Sequence, residues 1–155
     1  MPKAALKNSL VFFGQFRNRF ETTGAIAPSS RFLARKVTRD LAKRDPGKPV
    51  RVIEIGPGTG AITTEIVRLL RPGDRFDLVE LNEVFARTLS KRFESEAHFK
   101  RVAEISHVHQ MPLQDFQISE KYDFVISGLP LNNFSTPLVE SIVDIYRGLL
   151  KPATR

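Results

Sequence analysis

Glu54, Gly56, Gly58 and Gly60 fall within the run VIEIGPGTGAIT, and Glu80 follows 20 residues after the last glycine. Glycines where a strand gives way to a helix let backbone approach a ligand closely and leave helix N–H groups aimed at it. A carboxylate at the end of the next strand can accept both hydroxyls of a ribose. The spacing G-x-G-x-G, with Ala61 able to serve as a later small residue, also suits a dinucleotide loop, so NAD remains open at this level. A turn of glycines with no ligand is the third reading.

These residues need a scaffold, and the pattern around them supplies one. The stretch VRVIEIG, residues 50–56, is almost continuously apolar and β-branched, as expected of a central parallel strand buried on both faces. A helix is expected over 61–70, a strand over 75–81 (RFDLVEL), a helix over 83–94, a strand near 105–110 and a further strand over 122–130 (YDFVISGLP). STPLVESIVDIYRGLL completes the series as a helix, with a stop at KP. This β-α-β-α alternation predicts a doubly wound α/β sheet of Rossmann-like type. Ahead of it, residues 3–20 carry leucines and phenylalanines at helical spacing among cations, and Ser29 or Ser30 would cap a second helix through about residue 44. The expected division is therefore a basic helical segment, 1–49, and a core, 50–155.

Composition limits the chemistry further. The 155 residues hold no cysteine and three histidines, so no thiolate metal site is available and no metal is expected. No apolar run approaches the roughly 20 residues that span a bilayer, and no signal-peptide pattern opens the chain, which leads to an expectation of cytoplasmic location with peripheral membrane contact. The net charge is +7, yet residues 1–49 alone hold eleven Lys/Arg against three acids, while residues 50–155 hold 13 against 14. The whole positive excess thus lies in the first third, which favours an anionic partner, lipid or nucleic acid, over a merely solvated face.

EIGPGTG followed by VEL resembles the cofactor half of class I S-adenosylmethionine-dependent methyltransferases. The resemblance covers about residues 50–131. It implies that Gly56, Pro57, Gly58, Thr59 and Gly60 cradle the methionine portion, Glu54 organises its amino group and Glu80 binds the ribose. Leu81, Asn82, Gln110, Met111, Pro112 and Ser127 would complete the cofactor site. Ribosomal RNA adenine dimethyltransferases share this core and carry an Asn-Leu-Pro-Tyr type motif after the fourth strand. Here that place reads Ser127-Gly128-Leu129-Pro130-Leu131. Glycine cannot orient a planar amine and leucine cannot stack on a base as an aromatic ring does, so adenine is disfavoured as the acceptor.

TGAIAPSSRFLAR before the core and SGLPL after the fourth strand are similar to bacterial phospholipid N-methyltransferases, which methylate phosphatidylethanolamine at the membrane surface. That resemblance implies in-line displacement by a neutral amine on the sulfonium methyl, with S-adenosylhomocysteine as product. An RNA adenine methyltransferase and a weakly active cofactor-binding, membrane-associated protein are the alternatives. Ser127, Gly128, Leu129, Pro130, Tyr146 and His109 are the candidates for catalysis, and no general base is evident. Lys3, Lys7, Leu10, Phe12, Phe13, Phe16, Arg17, Arg19 and Phe20 are expected to bind an anionic membrane, although the phenylalanines could equally pack as core. The family sheet has seven strands and four are legible here, so the sheet is expected either to be a shortened version or to have the edge of its fourth strand covered by a second copy, which gives a dimer or a compromised monomer.

Overall fold

The computed structural model describes residues 28–153, with side chains from Arg31 onward. The amphipathic helix expected over 3–20, with all its membrane-binding candidates, lies outside the described residues. The chain runs α1 (Pro28–Val37), α2 (Arg39–Ala42), β1 (Arg51–Ile55), α3 (Ala61–Leu69), β2 (Arg75–Glu80), α4 (Glu83–Ser95), α5 (Ala97–Lys100), β3 (Ser106–Gln110), β4 (Phe124–Ser127) and α6 (Thr136–Leu149). Single 3-10 turns precede and follow β3, and another follows β4. The four strands form one parallel sheet in the order β3-β2-β1-β4. This is the expected doubly wound arrangement, with the glycine-loop strand at its centre.

Register assigns each strand residue to a face. Val52, Phe76, Leu78 and Ile126 point to one side, where they join Leu41, Ile66, Val67, Leu89, Phe93 and Phe99 from the helices in a single buried cluster. Ala34, Thr38 and Leu41, spaced four and three apart, are the buried positions of α1 and α2, and they seat the pair against α3. Ile53, Ile55 and Val79 point to the opposite side, where Leu138, Ile142 and Leu149 of α6 cover them. Removing these side chains from water is the main force holding the layers together.

The N-terminal end of the sheet is closed by one carboxylate. Asp74 accepts from Arg44 Nη1 at 2.7 Å and Nη2 at 2.6 Å, from Val50 N at 2.9 Å and from Arg71 N at 2.7 Å. Burial opposes its charge, but these donors outweigh that and hold its pKa below the ordinary value.

Several boundaries differ from expectation. The helix expected through residue 44 begins at Pro28, ahead of both serines proposed as its cap, and is interrupted at Thr38, whose Oγ1 donates to Ala34 O at 2.7 Å. The fourth strand is shorter than 122–130. Tyr122 bridges instead to Leu150, and Gly128 leaves the ladder. Among the described residues β4 is bordered by β1 alone along its length, so its other edge is the one on which a second copy is expected.

Candidate functional site

β1 delivers the chain into the loop Gly56–Gly60, and all three glycines there have positive φ. Gly60 shows why the residue type is required. It stands at φ +89° as the N-cap of α3, and a Cβ there would lie 2.6 Å from Arg92 Nη1 and 3.0 Å from Leu89. Gly128 is required for a different reason, because its Cβ would come within 2.4 Å of the Gly56 carbonyl oxygen. The exit of β4 and the glycine loop thus pack backbone against backbone, joined by Gly128 N donating to Ile55 O at 2.8 Å.

Glu80 ends β2 beside this loop and is 5% exposed. Its Oε1 accepts from Gly58 N at 2.8 Å and its Oε2 from Asn82 N at 2.9 Å. A carboxylate offers about four acceptor positions. Two are met by backbone, leaving capacity for a diol at a place where the loop has been drawn toward the acid. The residues present therefore fit a ribose-bearing cofactor.

Glu54 lies under the loop. It is fully buried, and both of its oxygens lie within 2.9 Å of Thr63 Oγ1, which donates to them from α3. It ties the start of α3 to the floor of the loop and shapes the cradle from below. Asn82 stands at the start of the next helix. Its Oδ1 accepts from Phe85 N at 3.0 Å as the N-cap of α4, so its side chain positions a helix. Thr59 is exposed at the loop's tip, while Pro57 is buried.

The far wall comes from β3. Met111 N donates to Glu80 O at 3.1 Å and Gln110 Nε2 to Leu81 O at 2.9 Å, which fixes the turn at Met111 and Pro112 beside the acid. Leu81, Met111, Leu129, Leu131 and Phe134 are partly buried on one apolar cluster with Ile55 and Val79. The cofactor-side candidates and the SGLPL segment are therefore brought together. Ser127 and Tyr146 meet as well, their hydroxyls 2.7 Å apart, with Leu129 N donating to Ser127 Oγ at 3.2 Å. Burial pushes the Tyr146 hydroxyl up to about 12 despite the serine, so it stays protonated at neutral pH. Pro130 opens the 3-10 turn Leu131–Asn133 that follows.

His109 does not join them. Its Nε2 lies 2.8 Å from Asp77 Oδ1, and its ring packs on Phe116 at 4.9 Å. Asp77 is 1% exposed and also accepts from Arg75 and from Tyr122 OH at 2.8 Å. Burial resists the Asp77 charge, but the hydrogen bonds from Arg75, His109 and Tyr122 prevail and lower its pKa. The cluster anchors β2, β3 and Tyr122 on the α6 face and fixes the His109 ring. Arg92, by contrast, was not legible as a site residue. Its Nη2 donates to Thr64 Oγ1 at 3.1 Å and its Nη1 lies 3.4 Å from Thr59 O, bracing the loop from α4. Only its spacing to Glu96, which it holds at 2.8 Å, is visible in sequence.

A family model described as ribosomal RNA adenine dimethylase matches residues 30–153. The chain belongs to that family. S-adenosylmethionine is the cofactor that goes with it, and the sheet order and glycine loop are those of the class I methyltransferase fold. The chain is also similar to an ornithine lipid N-methyltransferase of Singulisphaera acidiphila, 33% identical over 150 residues, which covers 96% of this chain and 75% of that protein. Solved structures share the fold. The glycopeptide N-methyltransferase MtfA complexed with sinefungin aligns with a TM-score of 0.62 at 18% identity, covering 83% of this chain and 49% of that one. Streptomyces venezuelae DesVI gives 0.58 at 18% identity, covering 98% and 55%. The chain thus spans about half the length of these solved relatives.

Among the described residues no helix is long and apolar enough to cross a membrane, and no group of metal-ligating side chains is present.

Proposed function

We propose that the chain transfers methyl groups to the primary amine of a membrane lipid. The observation that carries this reading is the close approach at Gly128. An amide side chain at that position, as an adenine acceptor requires, has no room, because even a Cβ would stand 2.4 Å from Gly56 O. An RNA adenine acceptor is therefore the weaker reading within a family whose name refers to one.

A second feature supports lipid. Phe32, Leu33 and Val37 project from α1 at 73%, 52% and 38% exposure, with Arg31, Arg35, Lys36 and Arg39 exposed around them. Apolar side chains ringed by cations suit the headgroup boundary of an anionic bilayer, each cation contributing on the order of 1 kcal/mol. The surface continues the basic segment that precedes it in sequence and would hold the protein at the membrane as a peripheral enzyme.

When bound, S-adenosylmethionine supplies an electrophilic methyl on sulfur. The chain's own residues do the positioning, which accounts for a large share of catalysis in such transfers. Glu80 would take the ribose hydroxyls, and the loop Gly56–Gly60, braced by Glu54 from below and Arg92 from the side, would hold the amino-acid portion. Ser127 and Tyr146 carry two hydroxyl protons, of which one spans the pair. The other is free to donate to an oxygen of the headgroup and orient it.

Phosphatidylethanolamine is the first candidate acceptor, on the resemblance of the flanking motifs. Ornithine lipid is the second, on the curated relative. The test is labelled S-adenosylmethionine with anionic liposomes containing one lipid or the other, and with RNA in a parallel reaction. Label in lipid that disappears in Glu80→Ala is the expected result. Label in RNA alone would overturn it.

A further inference from the structure

The glycine loop is held at two places by the unit β2–α4. Glu80, the last residue of β2, accepts from Gly58 N at 2.8 Å, and Arg92 comes from α4 to the residues that follow. Its guanidinium donates through Nη1 to Thr59 O at 3.4 Å and through Nη2 to Thr64 Oγ1 at 3.1 Å. Thr64 passes the contact on, because its Oγ1 donates to Gly60 O at 2.8 Å. The peptide groups before and after Gly60 are thereby tied to one side chain.

Contacts away from the loop fix that side chain in turn. Glu96 accepts from Arg92 Nε at 2.8 Å and from Nη2 at 3.0 Å, and the buried ring of Phe99 lies 4.2 Å from Cζ. The hydrogen bonds from Arg92 hold the Glu96 carboxyl below its ordinary pKa, so the pair is ionised at neutral pH. Against the loop the fit is as close, since a Cβ on Gly60 would stand 2.6 Å from Nη1. The stability of α3 does not account for this placement. Gly60 is the N-cap of that helix, and a cation there opposes the helix dipole.

We propose that Arg92 is a positioning residue for the amino-acid portion of S-adenosylmethionine, acting by fixing the peptide groups on either side of Gly60. This rests on the reading of the loop as the S-adenosylmethionine cradle. A loop already set in its bound form loses less freedom when the ligand arrives, and the gain appears as affinity. The role needs a guanidinium. A lysine ammonium is a single point of charge and cannot meet Glu96, Thr59 and Thr64 together as a planar fork does. The ribose depends on Glu80, so the two halves of the ligand should answer to different residues of the same β2–α4 unit.

The experiment compares a whole ligand with a truncated one. S-adenosylhomocysteine and 5′-methylthioadenosine, which keeps adenine and ribose but has no amino-acid portion, are titrated by calorimetry into wild type, Arg92→Met, Arg92→Lys and Glu80→Gln. Arg92→Met should weaken S-adenosylhomocysteine about 10-fold and methylthioadenosine by less than about 2-fold. Arg92→Lys keeps a cation beside Phe99 and Glu96, so without ligand it should melt close to wild type while showing the same selective loss. Glu80→Gln should weaken both ligands in parallel. An Arg92→Met protein that binds S-adenosylhomocysteine as wild type does, or loses both ligands in equal proportion, overturns the assignment. So does an Arg92→Lys protein with wild-type affinity, since charge alone would then suffice. If Arg92→Met does not fold, Arg92→Lys decides by the same selectivity. If wild type binds neither ligand, the cofactor reading falls and this one with it. If Glu80→Gln weakens both while neither Arg92 variant changes either, only the present proposal fails.

Discussion

Asp74 and Glu80 sit at opposite ends of β2, both almost fully buried, and they are used in opposite ways. Asp74 collects four donors, two from the Arg44 guanidinium and two from backbone, which fills its acceptor positions. Glu80 receives two backbone N–H groups. One carboxylate is a closed clamp at the N-terminal end of the sheet, and the other is a half-filled receptor at the C-terminal end. A buried acid is informative about function only once its donors have been counted, because burial and residue type are the same in both.

The contrast can be broken most severely at the clamp. Arg44→Met leaves the Asp74 charge buried without its main partner and should lower unfolding free energy by about 3–5 kcal/mol. Urea denaturation measures this, and affinity for S-adenosylhomocysteine under folding conditions should stay within a few-fold of wild type. At the receptor the order reverses. Glu80→Gln should weaken S-adenosylhomocysteine about 100-fold by calorimetry, with the loss of stability limited to about 1 kcal/mol, since an amide oxygen still accepts from one of the two backbone donors.

Gly128→Ala comes next. Its methyl group must push the Gly56 carbonyl away, so cofactor affinity should fall together with stability, the latter by about 1–3 kcal/mol. Loss of one without the other would show that the β4 exit and the glycine loop are not coupled. The smallest effect is one of pH. Burial, with help from Arg75, lowers the pKa of His107 below its ordinary value. The unfolded chain therefore binds this proton more readily. Stability from His107 is complete above pH of about 6.5 and falls away as pH drops through that value toward the folded pKa. His107→Gln should flatten the dependence of the urea midpoint between pH 7.5 and 5.5.

The scaffold was readable because its signals are local. Continuous apolar runs marked β1 and β2, and glycine spacing marked the loop between β1 and α3. The site was readable where spacing alone places a group, as with Glu80 at the end of a strand. It was not readable where a side chain has to choose among partners distant in sequence. Glu54 turns under the loop to Thr63, His109 is taken by Asp77 across the sheet, and Arg92 reaches back 33 residues to Thr59. Asn82 has the polar side chain of a ligand, and its capping role depends on the helix that follows. Its Oδ1 accepts from Phe85 N just ahead of α4.

The register of β1 has a consequence for how the protein comes into being. Its first neighbour, β2, pairs Ile55 with Val79, whereas its second pairs Ile55 with Ser127, a separation three times as long along the chain. Parallel pairings of such range close slowly and late. During synthesis from the N-terminus, the strand that leads into the glycine loop gains one side early and then waits for the other. Gly128, whose backbone completes the wall of that loop, follows directly on β4, the fourth strand of the described residues. The nascent chain can therefore bury most of its β1–β2 core long before the wall of the glycine loop is complete.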